Sequence, residues 1–145
     1  MAYVVDNWKF GKPDGDTPFL SIQVLDIVNF ACLAGAGLLL RRDAAAHKRL
    51  MLLATFCIVD AGFGRWWGPG LEGLLGKGFF GEWMADYLGD MLLILGLGAY
   101  DLATRRRLHP AYAIGATWGL SLQALAAYLY VSPWWKPVAT RLIGH

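Results

Sequence analysis

The sequence predicts an all-α fold, a transmembrane four-helix bundle with both termini on the outer (periplasmic) side of the membrane. Three observations predict it. Hydrophobic residues make up 57% of the 145 residues and charged residues 17%, whereas soluble domains have about 45–50% and about 25%. Four apolar stretches are long enough to cross a bilayer, and most cations lie in two short loops between them. The formal net charge of +2, without a basic face, argues against a nucleic acid as a partner.

Each span is expected to be a helix of about 20 residues, because a helix rises about 1.5 Å per residue and the hydrocarbon core is about 30 Å thick. A polar tail over residues 1–18 precedes the spans, and it lacks the apolar run of a cleavable signal peptide. An interfacial tail over residues 132–145 follows them. The helices are predicted at about residues 19–40, 47–66, 83–104 and 110–131.

The connection between the second and third predicted helices, residues 68–83, is rich in glycine with interleaved Leu and Phe. We expect it to form an irregular loop that lies in the membrane interface. A re-entrant turn is the alternative, but an irregular backbone exposed to hydrocarbon would leave its amides without partners.

The cations set the predicted orientation. A surplus of Lys and Arg marks the cytoplasmic loops of a membrane protein. The two loops that hold most of them therefore face the cytoplasm, with Arg41, Arg42, Lys48 and Arg49 in one and Arg105, Arg106 and Arg107 in the other. Tryptophans anchor helices at the interface, and the predicted outer belt consists of Trp8, Trp66, Trp67, Trp83, Trp134 and Trp135.

Charged residues inside the spans are the main functional signal. An unpaired charge at the bilayer centre costs at least about 2.5–3.5 kcal/mol, so such groups face one another or water. We predict a buried polar cluster in the outer half of the bundle, formed by Asp26, Asn29, Asp60, Arg65, Asp86 and Asp90, with Gln123 below it. The cluster is either a proton, cation or polar-ligand site, or a structural set in which Arg65 pairs with one aspartate. Asp60 and Asp90 are the stronger functional candidates, whereas Asp101 and Arg105 have the spacing of an ordinary helical ion pair.

The histidines and cysteines give weaker signals. His47 and His109 lie at similar depth on the second and fourth helices, which an up-down bundle places on a diagonal, so they could hold a haem or another tetrapyrrole pigment. The alternative is that His47 belongs to a basic boundary and that His109 starts a helix before Pro110. Cys32 and Cys57 lie in apolar stretches and are expected to be buried small residues.

Small residues spaced four apart predict close helix packing. Gly115 and Gly119 form such a pair on the fourth helix, and Ala31 and Gly35 form one on the first. Packing within the bundle is the simpler interpretation, and a dimer or partner face is the alternative.

The stretch HKRLM, residues 47–51, with Arg65 near the end of the same helix, resembles a group of uncharacterised bacterial multi-pass membrane proteins. In that group a loop histidine opens a helix as H-[KR]-R-x-M and an arginine follows near the helix end. The similarity covers about residues 19–131. Members of the group are usually longer, so the resemblance implies a short relative or a fragment, and it implies no activity. The matching residues are His47, Lys48, Arg49, Met51 and Arg65.

From these features we expect a small integral protein of the bacterial inner membrane, with no catalytic residues and no metal site. Its predicted function is that of a non-catalytic accessory or structural subunit of a larger membrane complex. The expected partners are membrane lipids, including bound lipid, and other membrane subunits or further copies of the chain. Two alternatives are a haem- or pigment-binding electron-transfer module that uses His47 and His109, and a small proton, ion or solute transporter that uses Asp60, Asp90 and Arg65.

Overall fold

The computed structural model describes residues 17–76 and 78–143. Every regular element in these ranges is helical, which confirms the all-α prediction. The predicted polar tail lies, up to residue 16, outside the described residues, as do Trp8 and His145. A 3-10 turn, Thr17–Phe19, leads into five helices: α1 Leu20–Leu39, α2 Ala44–Leu75, α3 Phe79–Arg105, α4 Pro110–Val131 and α5 Trp135–Ile143.

Three segments of the described chain are long and apolar enough to cross a membrane, and they are Thr17–Leu39, Ala44–Gly68 and Pro110–Val131. They coincide with the first, second and fourth predicted spans. Helix α3 has 27 residues, about 40 Å of helix, but its acidic residues make it too polar to qualify by composition alone. By length and composition, three helices of the described chain could therefore cross a membrane.

The predicted glycine-rich loop is wrong, because most of it is helical. Helix α2 runs through to Leu75 and α3 begins at Phe79, which leaves residues 76–78 as the connection. Gly76 has φ of +80° and ends α2 in a conformation that favours glycine. The backbone amides of this segment are thus satisfied inside helices rather than in an interfacial loop.

The four long helices pack against one another. Helix α2 packs most extensively against α3 and α1, and α4 contacts α1, α2 and α3. Helices α1 and α3 make the least contact with each other, and the predicted diagonal relation of the second and fourth helices stays a prediction. We call the end with the exposed cations the basic end, where the side chains of Arg41, Arg42, Lys48, Arg105, Arg106 and Arg107 lie. The opposite end, where α1 and α3 begin, is the acidic end.

Local sequence explains where the helices start at the basic end. The side chain of Asp43 accepts hydrogen bonds from the Ala45 and Ala46 amides, at 3.0 and 3.1 Å, and so caps α2. These two bonds hold the pKa of Asp43 below its ordinary value, and the bond from the Ala46 amide has the larger effect. Helix α4 begins with Pro110 after His109, whose Nδ1 accepts from the Ala111 amide at 3.2 Å.

Apolar side chains fill the basic half of the molecule. Of the two small-residue pairs, Gly115 and Gly119 face this interior, because a Cβ on Gly115 would lie 2.8 Å from Leu53. Ala31 and Gly35 face outward, with no atom within 4 Å of a Cβ placed on Gly35. The apolar core consists of Leu33, Leu50, Leu53, Ala54, Cys57, Ile94, Tyr112 and Ala116. Cys57 is thus buried as expected, whereas Cys32 is exposed, contrary to the prediction.

The five described tryptophans of the predicted interface belt lie at the acidic end. Trp66 is 80% exposed and stacks on Trp67. Trp67 lies eight residues before the end of α2 at Leu75. Trp134 is 52% exposed, and the indole N–H of Trp135 donates to the Pro18 carbonyl at 3.2 Å. This bond ties α5 to the start of the described chain. Trp83, near the start of α3, is half-buried beside Phe79.

Candidate functional site

The acidic end contains a cavity of about 180 Å³ among the first turns of α1, the second half of α2 and the start of α3. We call it the acidic chamber. A typical buried water occupies about 30 Å³ of liquid volume, so the chamber has room for several waters or a small solvated ion. Its wall contains Phe19, Ile22, Gln23, Asp26, Asp60, Ala61, Gly64, Arg65, Asp86 and Tyr87.

Asp60 is the most unusual residue of the chamber. It is 3% exposed, and neither carboxylate oxygen accepts a hydrogen bond from a described residue. The Ala61 backbone N–H lies nearby but lacks hydrogen-bond geometry. Asp26 and Asp86 line the same cavity, so the three carboxylates repel one another when they are charged. A buried carboxylate without a partner is costly unless a proton, water or cation reaches it.

Asp26 has a partner that the sequence analysis did not predict. The hydroxyl of Tyr87 donates to Asp26 Oδ1 at 3.0 Å and joins α3 to α1 across the chamber. Tyr87 is fully buried. The sequence signal for this role is the spacing: Tyr87 lies three residues before Asp90, which puts the two side chains on nearly the same face of α3.

Below the chamber, two amides and a carboxylate from three helices are also buried. Gln123 Nε2 donates to Asp90 Oδ2. Asn29 is 1% exposed, and both atoms of its amide lack a hydrogen-bond partner among the described residues. It packs against α4, where a Cβ on Gly119 would lie 3.5 Å from Asn29 Nδ2. Gln123 Oε1 and Asp90 Oδ1 are unpartnered as well.

The structure therefore brings together most of the predicted polar cluster, but it corrects the position of Arg65. That residue lines the chamber and is exposed at its edge, because Asp60 and Gly64, four residues apart, occupy the inward face of α2. Asp86 is half-buried in the same wall. Among the described residues of the cluster, the only cation is Arg65, and it lies on the solvent side of the chamber.

The basic end contains a second buried charge site that the sequence analysis assigned wrongly. Asp101 forms a two-point ion pair with Arg49 of α2, through Nε at 2.8 Å and through Nη2, rather than pairing with Arg105. Asp101 is fully buried and Arg49 is 7% exposed. Arg49 also donates to the Ala45 carbonyl, and the His109 amide donates to Asp101 Oδ2 at 3.3 Å. Spacing along one helix favoured Arg105, since the approach of α2 to α3 is not visible in the sequence.

The two histidines have different hydrogen bonds. His47 Nδ1 lies 2.8 Å from the Gly37 carbonyl, which can only accept, so Nδ1 donates and Nε2 keeps its lone pair. His109 Nδ1 accepts from the Ala111 amide, which places the proton of a neutral ring on Nε2. A bis-histidine haem requires an unprotonated nitrogen from each ring, so the His109 cap disfavours this alternative.

Chemically, the acidic end is a set of oxygen acceptors with few donors. Such a set suits protons, water and hard cations. No group of three His, Cys, Asp or Glu side chains in residues 17–76 and 78–143 is arranged to hold a metal ion. Oxygens from the Asn29 and Gln123 amides would have to complete any cation site.

Comparison with known proteins gives no match to a family model, to a curated protein or to a solved structure. The resemblance of His47, Lys48, Arg49, Met51 and Arg65 to the H-[KR]-R-x-M group therefore stays a prediction.

Proposed function

We propose that this protein is a small membrane carrier that binds a cation, either a proton or a metal ion, in the acidic chamber. The observation that carries the proposal is Asp60, a buried carboxylate in the chamber wall whose two oxygens have no partner among the described residues. A structural aspartate in an apolar bundle is expected to be hydrogen-bonded. One that stays unpartnered beside a cavity is suited to exchange a ligand.

The closed basic half favours a carrier over an open pore. Between Asp60 and the Arg49–Asp101 pair lies the apolar core, which includes Leu33, Leu53 and Ile94. A cation in the chamber therefore has access from the acidic end, and release at the basic end requires the helices to separate there. Alternating access of this type is common among transporters with a central site.

The membrane arrangement is part of the proposal: a transmembrane four-helix bundle with both termini on the outer side of the bacterial inner membrane. Two features of α3 support its role as the fourth span. Its most buried charged residues, Asp90 and Asp101, are covered by the other helices. Its exposed surface is apolar, with Leu92 54% and Leu95 66% exposed. The six exposed cations of the basic end would face the cytoplasm, and lipids would surround the apolar faces.

The test is cation flux in liposomes that contain the full chain. An internal pH-sensitive dye reports proton entry, and ²²Na⁺ uptake reports metal-ion entry. Wild-type protein is expected to transport at least one of the two cations, because Asp60 supplies an exchangeable site. Asp60→Asn is expected to abolish that flux, since the amide keeps the shape of the side chain but loses its negative charge.

Glu72→Gln is the matched control, because it removes a carboxylate from the same helix outside the chamber wall. It is expected to keep the wild-type rate. Equal rates for Asp60→Asn and wild type would overturn the role of Asp60. No flux of either cation through correctly inserted wild-type protein would overturn the carrier function.

The accessory-subunit function is the second candidate, and the outward pair of Ala31 and Gly35 favours it, because small residues on an exposed face let another helix approach closely. Native mass measurement after mild extraction tests it. A larger assembly that is lost on Gly35→Leu and kept on Gly62→Leu, where a Cβ is equally free, would support it. A lone 16.0 kDa species under conditions that preserve known complexes would contradict it.

A further inference from the structure

Below the acidic chamber, which Asp60 lines, each of the four long helices contributes one buried polar side chain. Their exposed fractions are 1% for Asn29, 3% for Asp60, 0% for Asp90 and 1% for Gln123. We call these four residues the oxygen layer. Because they come from four separate helices, no local turn or cap explains why polar groups are placed there.

Several contacts bring these side chains to the same level. Asp90 and Gln123 are joined by a hydrogen bond. Asn29 packs on Gly119, one helical turn before Gln123 on α4. Cys57, one turn deeper than Asp60 on α2, and Ile94, one turn deeper than Asp90 on α3, belong to the same apolar core, so Asp60 and Asp90 both lie just above it.

Acceptors outnumber donors in this layer. Five oxygens lack a hydrogen-bond partner among the described residues: Asn29 Oδ1, Asp60 Oδ1, Asp60 Oδ2, Asp90 Oδ1 and Gln123 Oε1. The only unpartnered nitrogen of these four side chains is Asn29 Nδ2. A single proton satisfies at most two of these oxygens, whereas a metal ion takes several oxygen ligands at once. The surplus of acceptors therefore favours a metal cation.

We propose that the oxygen layer binds a dehydrated monovalent cation of the Na⁺ type, which enters through the acidic chamber. This inference rests on the proposed carrier function and names its ligand. Ca²⁺ takes six to eight oxygens and Mg²⁺ keeps most of its water, so five protein oxygens beneath a small chamber suit neither ion well. Two carboxylates and two neutral amide oxygens provide a moderate negative charge for a monovalent ion.

The purified full chain in detergent provides the test. The melting temperature, followed by intrinsic tryptophan fluorescence, is measured against NaCl, with choline chloride keeping the ionic strength constant. A ligand that binds only the folded state raises the melting temperature in a saturable way. NaCl is expected to do so, and choline chloride is not.

Gln123→Leu and Thr117→Val are the compared variants, because each replaces a polar side chain of α4 by an apolar one of similar size. Gln123 belongs to the oxygen layer, whereas Thr117 is exposed and lies outside the chamber. Gln123→Leu is expected to require about tenfold more NaCl for the same shift, as the loss of one ligand worth about 1.4 kcal/mol predicts. Thr117→Val is expected to follow the wild type. If Gln123→Leu fails to fold, Asn29→Ala takes its place.

The outcomes separate this inference from the proposed function. Proton flux that depends on Asp60, together with no stabilisation by NaCl, would overturn the sodium site and leave the carrier function intact. Stabilisation by CaCl₂ in place of NaCl would also overturn it, as would equal NaCl responses of Gln123→Leu and Thr117→Val. A saturable NaCl response without any flux would keep the site and overturn the carrier function.

Discussion

The two ends of the molecule bury the same kinds of polar residue in opposite ways. Helix α3 carries a fully buried aspartate toward each end, Asp90 and Asp101. Arg49 and the His109 amide satisfy Asp101, whereas Asp90 has one partner and lies beside Asp60, which has none among the described residues. A partnered buried charge fixes how helices pack. Unpartnered acceptors next to a cavity leave capacity for a ligand.

Replacing Asp101 tests the structural end, and we expect the largest effect there. Asp101→Asn leaves the buried Arg49 guanidinium without its counter-ion and is expected to lower the free energy of unfolding by about 2 kcal/mol. Thermal unfolding in detergent measures the loss. Arg105→Gln is the control, because Arg105 is exposed, and an equally large loss in that variant would contradict the assigned pair.

An Asp→Asn substitution at the acidic chamber is expected to change the free energy of unfolding in the opposite direction. Asp60→Asn removes a carboxylate that lacks a partner, and its amide can donate to a neighbouring carboxylate. In sodium-free buffer at neutral pH it is expected to raise the free energy of unfolding by about 1 kcal/mol. The two asparagine variants are compared by the same unfolding measurement. A decrease like that of Asp101→Asn would show that Asp60 is structural.

Two buried tyrosines extend the comparison to neutral groups. Tyr112 donates to the Ile94 carbonyl at 2.9 Å within the apolar core, and Tyr87 donates to Asp26. Each Tyr→Phe variant is expected to lose about 1 kcal/mol of stability. Only Tyr87→Phe is expected to change the half-saturating cation concentration in the flux assay, by about fivefold. A comparable change in Tyr112→Phe would contradict the separation of the two ends.

The smallest expected effect concerns Asp43, the exposed cap of α2 at the basic end. Its pKa is held below the ordinary value by the Ala46 and Ala45 amides. The full contribution of Asp43 to the stability of the folded state is therefore present at neutral pH. The contribution disappears as the pH falls through the lowered pKa. Asp43→Ala is therefore expected to be less stable than the wild type at pH 7 and equally stable in strong acid. A difference in melting temperature that does not depend on pH would contradict this role.

Much of the fold could be predicted from the sequence because the signals are local. The apolar stretches, their lengths and the caps at Asp43 and His109–Pro110 depend on residues within a few positions of one another, and the all-α class follows from them. The prediction failed at residues 68–83, where glycine content indicated a loop. Helical backbone bonds satisfy the amides of this segment at little cost in an apolar setting, so tertiary context outweighed glycine propensity.

The acidic residues of the candidate site were predictable from sequence, since a charge in an apolar stretch is conspicuous and its depth follows from helix rise. Their partners were not. Whether Asp101 pairs with Arg49 or Arg105, whether Tyr87 reaches Asp26, and whether Asp60 finds a donor all depend on how four helices rotate and approach one another. Close packing at contacts such as Gly119 with Asn29 sets that rotation. The sequence by itself determined which polar groups enter the bundle, and only the tertiary structure decided which of them are left without a partner, because hydrogen bonding between helices depends on distances of a few ångströms.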